Sequence, residues 1–199
     1  MLIIALNGSP NIDGNMAALL KYTLEQCEAE GAETRIFNCG RIMDDQEEPF
    51  CIACSSPCDG RCYEDKQMAE VFETISRADG LIIGSPVYFG IVSAQLKAFW
   101  DKTRSLRAGK SLLNVVGGAM AVGASRFGGQ EETIRAIHTM MLVQGMILVG
   151  DGYYEDDCGH FGAAGQRPVD TDLDAFHRAR ILGKRIIETA EATRSLRRR

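Results

Sequence analysis

The chain has no long apolar run. None of its hydrophobic stretches approaches the roughly 20 residues that cross a bilayer, so a membrane-spanning bundle is excluded. It has no basic excess either. Its 22 Lys and Arg against 27 Asp and Glu leave a net charge of −5, whereas a nucleic-acid binder carries a surplus of cations. The one basic block, Arg194, Arg197, Arg198 and Arg199, reads as the solvated end of a helix. No export leader is expected either: residues 1–6 are apolar but too short to read as a signal peptide and lack a basic segment. These absences predict a cytoplasmic protein with neither nucleic acid nor membrane as partner, in a compartment where thiols stay reduced. The seven cysteines are odd in number, which argues against a full disulfide framework.

What is present is ordinary for a globular chain: 199 residues, 45% hydrophobic and 25% charged, most simply one domain over residues 1–199. Short apolar runs bounded by turn formers predict strands at residues 2–6, 34–37, 81–83, within 112–122, and at 146–149. Between them, apolar residues recur at helical spacing. Met16, Leu19, Leu20, Leu24 and Cys27 make one face, ended by Gly31 as C-cap. Further helices are predicted over residues 68–75, 93–103, 130–144 and 170–192. Alternating strands and helices imply a parallel sheet covered on both faces. The expected fold class is therefore α/β, a flavodoxin-like, doubly wound sheet of five strands in the order 2-1-3-4-5. Residues 40–65 break the pattern. They are rich in Cys, Asp, Glu, Gly and Pro, and a loop of that length in a compact domain usually has a function.

In such a sheet, ligands bind beyond the carboxyl ends of the strands, near the topological switch point. Three loops are predicted there. The first, residues 8–15, joins a strand to a helix N-terminus, whose free N–H groups and dipole suit a phosphate. Ser9, Asn11 and Asn15 can add side-chain hydrogen bonds. The loop has no Lys to make it a Walker A motif and no G-x-G-x-x-G fingerprint, so a terminal monophosphate fits better than a triphosphate or a dinucleotide. A plain turn with an N-cap is the competing reading. The second loop, residues 85–90, sets Tyr88 and Phe89 at a strand end as a stacking wall for a planar ring, with Gly90 allowing close backbone approach. Burial of both rings in the core or in a subunit interface is its alternative. The third, residues 123–130, offers glycines and free amides to the border of the same ring.

Here a resemblance becomes specific. The first loop reads Gly8-Ser9-Pro10-Asn11-Ile12-Asp13-Gly14-Asn15-Met16 and resembles the G-S-P-R-x-x-G-N-[ST] loop of the NADPH-dependent FMN reductase family. Asn11 replaces the family's Arg and Met16 its hydroxyl residue, and each change removes a phosphate partner. The stretch from Ser85 to Lys102 matches the family's S-P-V-Y-x-G-x-x-S-A-x-L-K-x-F-x-D-[RK] closely, and Gly128-Gly129-Gln130-Glu131 its G-G-Q-E. The resemblance implies bound FMN. It would be held by Ser9, Asn11, Asn15, Met16, Pro86, Val87, Tyr88, Phe89, Gly90, Ser125, Arg126 and Gly128. It also implies a homodimer or homotetramer with flavins near the subunit interfaces.

Four of the seven cysteines lie within twelve residues, as Cys51-x2-Cys54-x3-Cys58-x3-Cys62. Four thiolates on one short loop suit a [4Fe–4S] cluster or a tetrahedral zinc, and gaps this tight rarely meet disulfide geometry. Free thiols remain the third possibility. The arrangement is similar to that of the iron–sulfur flavoproteins of the same family, with a longer middle gap and a shorter last one. Cys27 and Cys39 read as core and structural residues. The run Asp156-Asp157-Cys158-Gly159-His160 fits no common metal spacing and reads as a solvated loop. The function expected is an FMN-dependent oxidoreductase or electron-transfer protein that also carries a [4Fe–4S] cluster, fed by NAD(P)H or a ferredoxin-like donor. No side chain is assigned as catalytic, because the flavin itself accepts hydride. A metal-free NAD(P)H-dependent FMN or quinone reductase and a flavin–thiol redox sensor are the alternatives.

Overall fold

The computed structural model describes residues 1–198, so the part of the basic tail read at Arg199 lies outside the described residues. Five parallel positions form the sheet, in the order β2-β1-β3-β4-β5, as the alternation of elements predicts. The strands are β1 (Leu2–Asn7), β2 (Glu33–Asn38), β3 (Gly80–Pro86), β4 (Val116–Gly123) and β5 (Ile147–Leu148). In β1 every residue from Ile3 onward is buried, because helices cover both faces of a central parallel strand. Side chains alternate between two cores. Ile3, Ala5 and Ile82 pack with Leu20, Leu24, Leu182 and Ile186 under α1 (Asn15–Ala29) and α7 (Leu173–Ala192). Ile4, Leu6 and Ile83 pack with Phe72, Phe99, Ile137 and Met141. This second face is covered by α3 (Gln67–Ser76), α4 (Ala94–Asp101) and α6 (Gln130–Val143).

The glycine pair that interrupts β4 is required by packing. A Cβ on Gly117 would stand 2.6 Å from Met141 Sδ, and one on Gly118 2.6 Å from Ile186 Cδ1. The pair lets α6 and α7 close on opposite faces of the strand. Cys27 and Cys39 are fully buried, as expected. Burial pushes the Cys27 thiol up to about 12 and raises that of Cys39 as well.

Four details depart from the sequence reading. A sixth strand, β6 (Ala163–Gln166), lies in the segment read as a loop. It pairs with the end of β4, from Met120↔Ala163 to Gly123↔Gln166, while β5 pairs with the start of β4. The fifth position is thus filled in two pieces, and residues 149–162 loop out between them. Two five-residue helices, α2 (Cys39–Met43) and α5 (Arg104–Ala108), are too short to leave a periodic signature. Cys39 opens α2 instead of ending β2. Finally, the basic tail is not wholly solvated. The Arg197 side chain is 4% exposed, with Nε 3.3 Å from Asp79 Oδ1 and Nη1 donating to Thr193 Oγ1 at 3.2 Å. Asp79 also accepts from the Leu2 N–H at 2.8 Å, so the tail closes over the amino end of the sheet. Among the described residues, no helix is long and apolar enough to cross a membrane.

Candidate functional site

The three predicted loops come together at the carboxyl end of the sheet. Loop 1 leaves β1 and is tied down on both sides. Gly8 N–H donates to Gly84 O at 2.8 Å, and Ser93 donates its hydroxyl to Gly8 O. No Cβ fits at Gly8, because Leu96 Cβ would lie 2.8 Å away. Ser9 is buried. Its N–H donates to Asn7 Oδ1 at 2.9 Å, and its Oγ accepts from the Asn11 N–H at 3.1 Å. Asn11 folds its amide over Gly14, where a Cβ would meet Nδ2 at 2.8 Å. Asn15 Oδ1 accepts from the Val169 N–H at 2.8 Å, which fixes the opening of α1 to the 3-10 turn Val169–Thr171. Met16 turns its side chain into the core, against Gly84 and beside Leu20. It can therefore offer the loop only its backbone.

No side chain caps α1. Among the described residues, the N–H groups of Asn15, Met16 and Ala17 donate to no protein atom. They are the helix's orphan donors, grouped at the positive end of its dipole. Loop 1 carries no cation to strengthen them, and Asp13 pairs with Lys21 at 3.2 Å.

Loop 2 is a tight turn that closes back on itself. Tyr88 N–H donates to Ile91 O at 2.9 Å and Ile91 N–H to Tyr88 O at 3.2 Å. The two central residues, Phe89 and Gly90, have φ of +50° and +84°. A type I′ turn needs both positive, and Phe89 holds this conformation against the steric preference of an L-residue. Its ring is wholly exposed and Tyr88 is 46% exposed, so neither belongs to the core. Pro86 and Val87 are half-buried behind them. Loop 3 touches loop 2, since a Cβ on Gly129 would lie 3.2 Å from Gly90 Cα. Ser125, Arg126 and Phe127 are exposed at its tip, and Gly128 is half-buried. Arg126 and Phe127 also border an open cleft of about 970 Å³ that runs toward Arg167 and Pro168.

Several residues that organise this rim were not legible individually. Gln130 is buried, and its amide staples loop 3. Oε1 accepts from the Gly128 N–H at 2.8 Å, while Nε2 donates to Ser125 O at 2.6 Å and to Gly165 O at 3.3 Å. Ser93 caps α4 through the Leu96 N–H at 3.1 Å, and its own N–H donates to Ser85 Oγ at 3.0 Å. Asn38 Nδ2 donates to Ser9 O at 3.1 Å. Beyond Asp13, loops 1 to 3 contain no carboxylate and no histidine. The rim is built to bind and orient; it contains no acid–base pair.

The cysteine-rich loop occupies a second place, on the α3–α4 face. Its neck is held by Asp45, whose O accepts from Lys66 Nζ at 3.1 Å and whose Oδ2 accepts from the Gln67 N–H at 3.4 Å. Tyr63 hydrogen-bonds Ser105 and sets its ring edge-on to Phe72, which meets Phe99 in the same way. Arg104 Nη2 donates to Ser55 O at 3.2 Å. Cys51, Cys54, Cys58 and Cys62 are all free thiols, and all four line one cavity of about 260 Å³. Lys102, 3% exposed, faces them with Nζ 3.8 Å from Cys62 Sγ. Cys54 is exposed, and Cys51, Cys58 and Cys62 are half-buried. Among the described residues, no three His, Cys, Asp or Glu side chains are placed to grip a single ion. The run 156–160 is an ion-pair clamp on α7. Arg178 grips Asp157 through two bonds of 2.8 and 2.9 Å, and His177 Nε2 lies 3.1 Å from Asp156 Oδ1. The Arg178 guanidinium, with the Gly159 N–H, pulls the Asp157 carboxyl down to about 2.

Helix α4 joins the two places. Ser93, at its amino end, bonds loops 1 and 2; Lys102, at its carboxyl end, faces the cysteines. Nine residues at about 1.5 Å each separate those ends by about 14 Å.

The family model for NADPH-dependent FMN reductases matches residues 1–160. An iron–sulfur flavoprotein of Methanocaldococcus jannaschii is 42% identical over 197 residues, covering 96% of this chain and 98% of the relative. One of Methanosarcina thermophila is 35% identical over 193 residues, covering 96% of each. Among solved structures, a WrbA-like flavodoxin of Agrobacterium tumefaciens superposes with a TM-score of 0.67 over 96% of this chain and 97% of that one; at 19% identity it speaks for the fold. With this rim, this sheet order and these matches over most of its length, the chain belongs to the NADPH-dependent FMN reductase family, in the iron–sulfur flavoprotein branch, and is a flavin-dependent oxidoreductase.

Proposed function

We propose that this protein binds FMN at the loop rim and a [4Fe–4S] cluster on Cys51, Cys54, Cys58 and Cys62, and passes electrons between a redox carrier and an acceptor. The observation that carries the cluster is the shared cavity: four unpaired thiols on one loop around about 260 Å³, with a buried cation beside them. A single zinc at about 2.3 Å from each sulfur would need the four gathered tightly about one point. A cuboidal cluster takes one thiolate at each of four irons, so its ligands stand apart. Zinc and a cluster would both take four thiolates, and the likeness to relatives named iron–sulfur flavoproteins favours the cluster.

The roles of the chain's residues follow. The free N–H groups of Asn15, Met16 and Ala17, with Ser9 and the Asn11 amide, would hold the phosphate. Tyr88, Phe89 and Gly90 would border one side of the ring, with Pro86 and Val87 behind them and Ser125, Arg126 and Gly128 on the other side. When bound, the flavin exchanges one or two electrons and the cluster one, and the protein supplies position and potential. The exposed rings of Phe89 and Phe127 at the rim support assembly as a homodimer or homotetramer in which a second copy covers them. NAD(P)H is the donor the family description favours.

The test is anaerobic purification of the full chain, followed by a visible spectrum and analysis of iron and acid-labile sulfide. Four irons and four sulfides per chain alongside one FMN are expected. Cys54→Ala should lose the iron and keep the flavin. Yellow, iron-free protein that turns over NAD(P)H would replace this reading with the metal-free reductase.

A further inference from the structure

Lys102 is a cation in a place where cations are seldom left. Lysine is almost never fully buried unless paired, yet this one is 3% exposed. Among the described residues, no carboxylate lies within ion-pair distance of its Nζ. Its neighbour Asp101 is engaged elsewhere, accepting from Lys97 Nζ at 2.6 and 2.8 Å. The polar partner that Nζ has is Cys62 Sγ, at 3.8 Å across the cavity lined by all four thiols. The carboxyl end of α4 gives some compensation, because Lys102 is its C-cap and the helix dipole is negative there. The remainder would come from the four cysteines across the cavity once they act as thiolate ligands.

We infer that Lys102 is the counter-cation of the four-cysteine cavity and biases its occupant toward the reduced state. The inference rests on the cluster reading above. Four thiolates around a [4Fe–4S] core of charge 2+ sum to 2−. Reduction adds one electron, with no bond formed or broken and no proton moved, and takes the cavity to 3−. A fixed cation against one ligand sulfur stabilises the second state more than the first. Net charge and hydrogen bonds to the sulfurs are among the levers that set cluster potentials. Lys102 acts through Cys62 and touches no substrate, so it is a positioning residue.

The experiment is a dithionite titration, followed by electron paramagnetic resonance, of anaerobically purified full chain carrying Lys102→Gln, Lys102→Met or Lys102→Arg. Iron and sulfide are measured on every sample. The two neutral variants should keep their iron and become at least tenfold harder to reduce, a fall of about 59 mV for one electron. Lys102→Arg should stay close to wild type. Iron lost from both neutral variants but kept by Lys102→Arg would equally support a charge requirement. Unchanged potentials in iron-replete neutral variants would overturn the inference and leave the cluster reading intact, as would loss of iron from all three variants while the wild type keeps it. Absence of iron and sulfide from the wild type would sink both together.

Discussion

Replacing Gln130 by Ala tests whether one buried amide holds together the rim proposed to bind FMN. The substitution removes three hydrogen bonds, to the Gly128 N–H, Ser125 O and Gly165 O. At about 0.5–1.5 kcal/mol net for each, with some relief where water reaches the loop tip, the loss should be about 2–3 kcal/mol. For a chain of this size a urea m-value of about 2.5 kcal/mol/M turns that into a midpoint lower by about 1 M, with m unchanged. The measurement belongs on apoprotein, because bound FMN adds its own stabilisation through mass action. Gln130→Glu sharpens the test. It keeps the shape, but it sets a second oxygen where Nε2 now faces the two acceptors, so it should cost at least as much as Ala. FMN affinity should fall about tenfold in both variants as loop 3 loosens against loop 2. A Gln130→Glu midpoint equal to wild type would refute the assignment of these bonds, and unaltered FMN affinity would separate loop 3 from the flavin.

Phe89→Gly should raise apoprotein stability by about 1 kcal/mol, because glycine adopts φ near +50° without steric cost; FMN retention on gel filtration should drop with the stacking ring gone. Asn15→Asp keeps the acceptor for the Val169 N–H, so its urea midpoint should hold. A carboxylate at the phosphate loop should nonetheless weaken FMN at least tenfold in a fluorescence titration, and unchanged affinity would remove loop 1 from the site. Asp157 is held at about 2 against an unfolded 3.8, first by Arg178. Its contribution to holding residues 151–162 on α7 is therefore complete above pH 3.8 and fades as pH falls through 2. A carbon-13 titration should place its midpoint below 3, and Arg178→Met should return it toward 3.8.

The parts of the fold that the sequence reveals are those where local pattern and burial agree. The runs in β1, β3 and β4 are apolar because helices cover both faces, and loops 1 to 3 follow from the turn formers that end those strands. Ala163-Ala164-Gly165-Gln166 is different. It has no β-branched residue and no alternation, and it is a strand because β4 offers it a free edge. Propensity cannot report a pairing that tertiary structure imposes. Arg197 was hidden for a related reason: a terminal arginine reads as solvated until Asp79, 118 residues away in sequence, is brought beside it. At the site, Ser9, Tyr88 and Phe89 could be read from the kinds of atom they offer. Gln130 and Lys102 could not, because each matters through what its side chain reaches, and both targets are distant in sequence or irregular in backbone.

The stretch that carries the strongest family resemblance, Ser85 to Lys102, has a structural reason to be one continuous motif. Its first part ends β3 and forms the rim turn. Ser93 then joins Ser85, Gly8 and the start of α4 in one hydrogen-bonded block. The helix that follows is buried along Leu96, Phe99 and Trp100, so it cannot rotate or slide without breaking the core beneath β1 and β3. Its last turn delivers Lys102 to the cysteines. A short rigid helix with one end fixed in the loop rim and the other at the thiol cavity sets the spacing between the positions proposed for FMN and for the cluster. Lys102→Met would remove the charge beside Cys62 without touching Ser93 or the rim turn ahead of it. Flavin binding and the behaviour of the cysteine cavity are therefore separable by mutation, although one helix builds both.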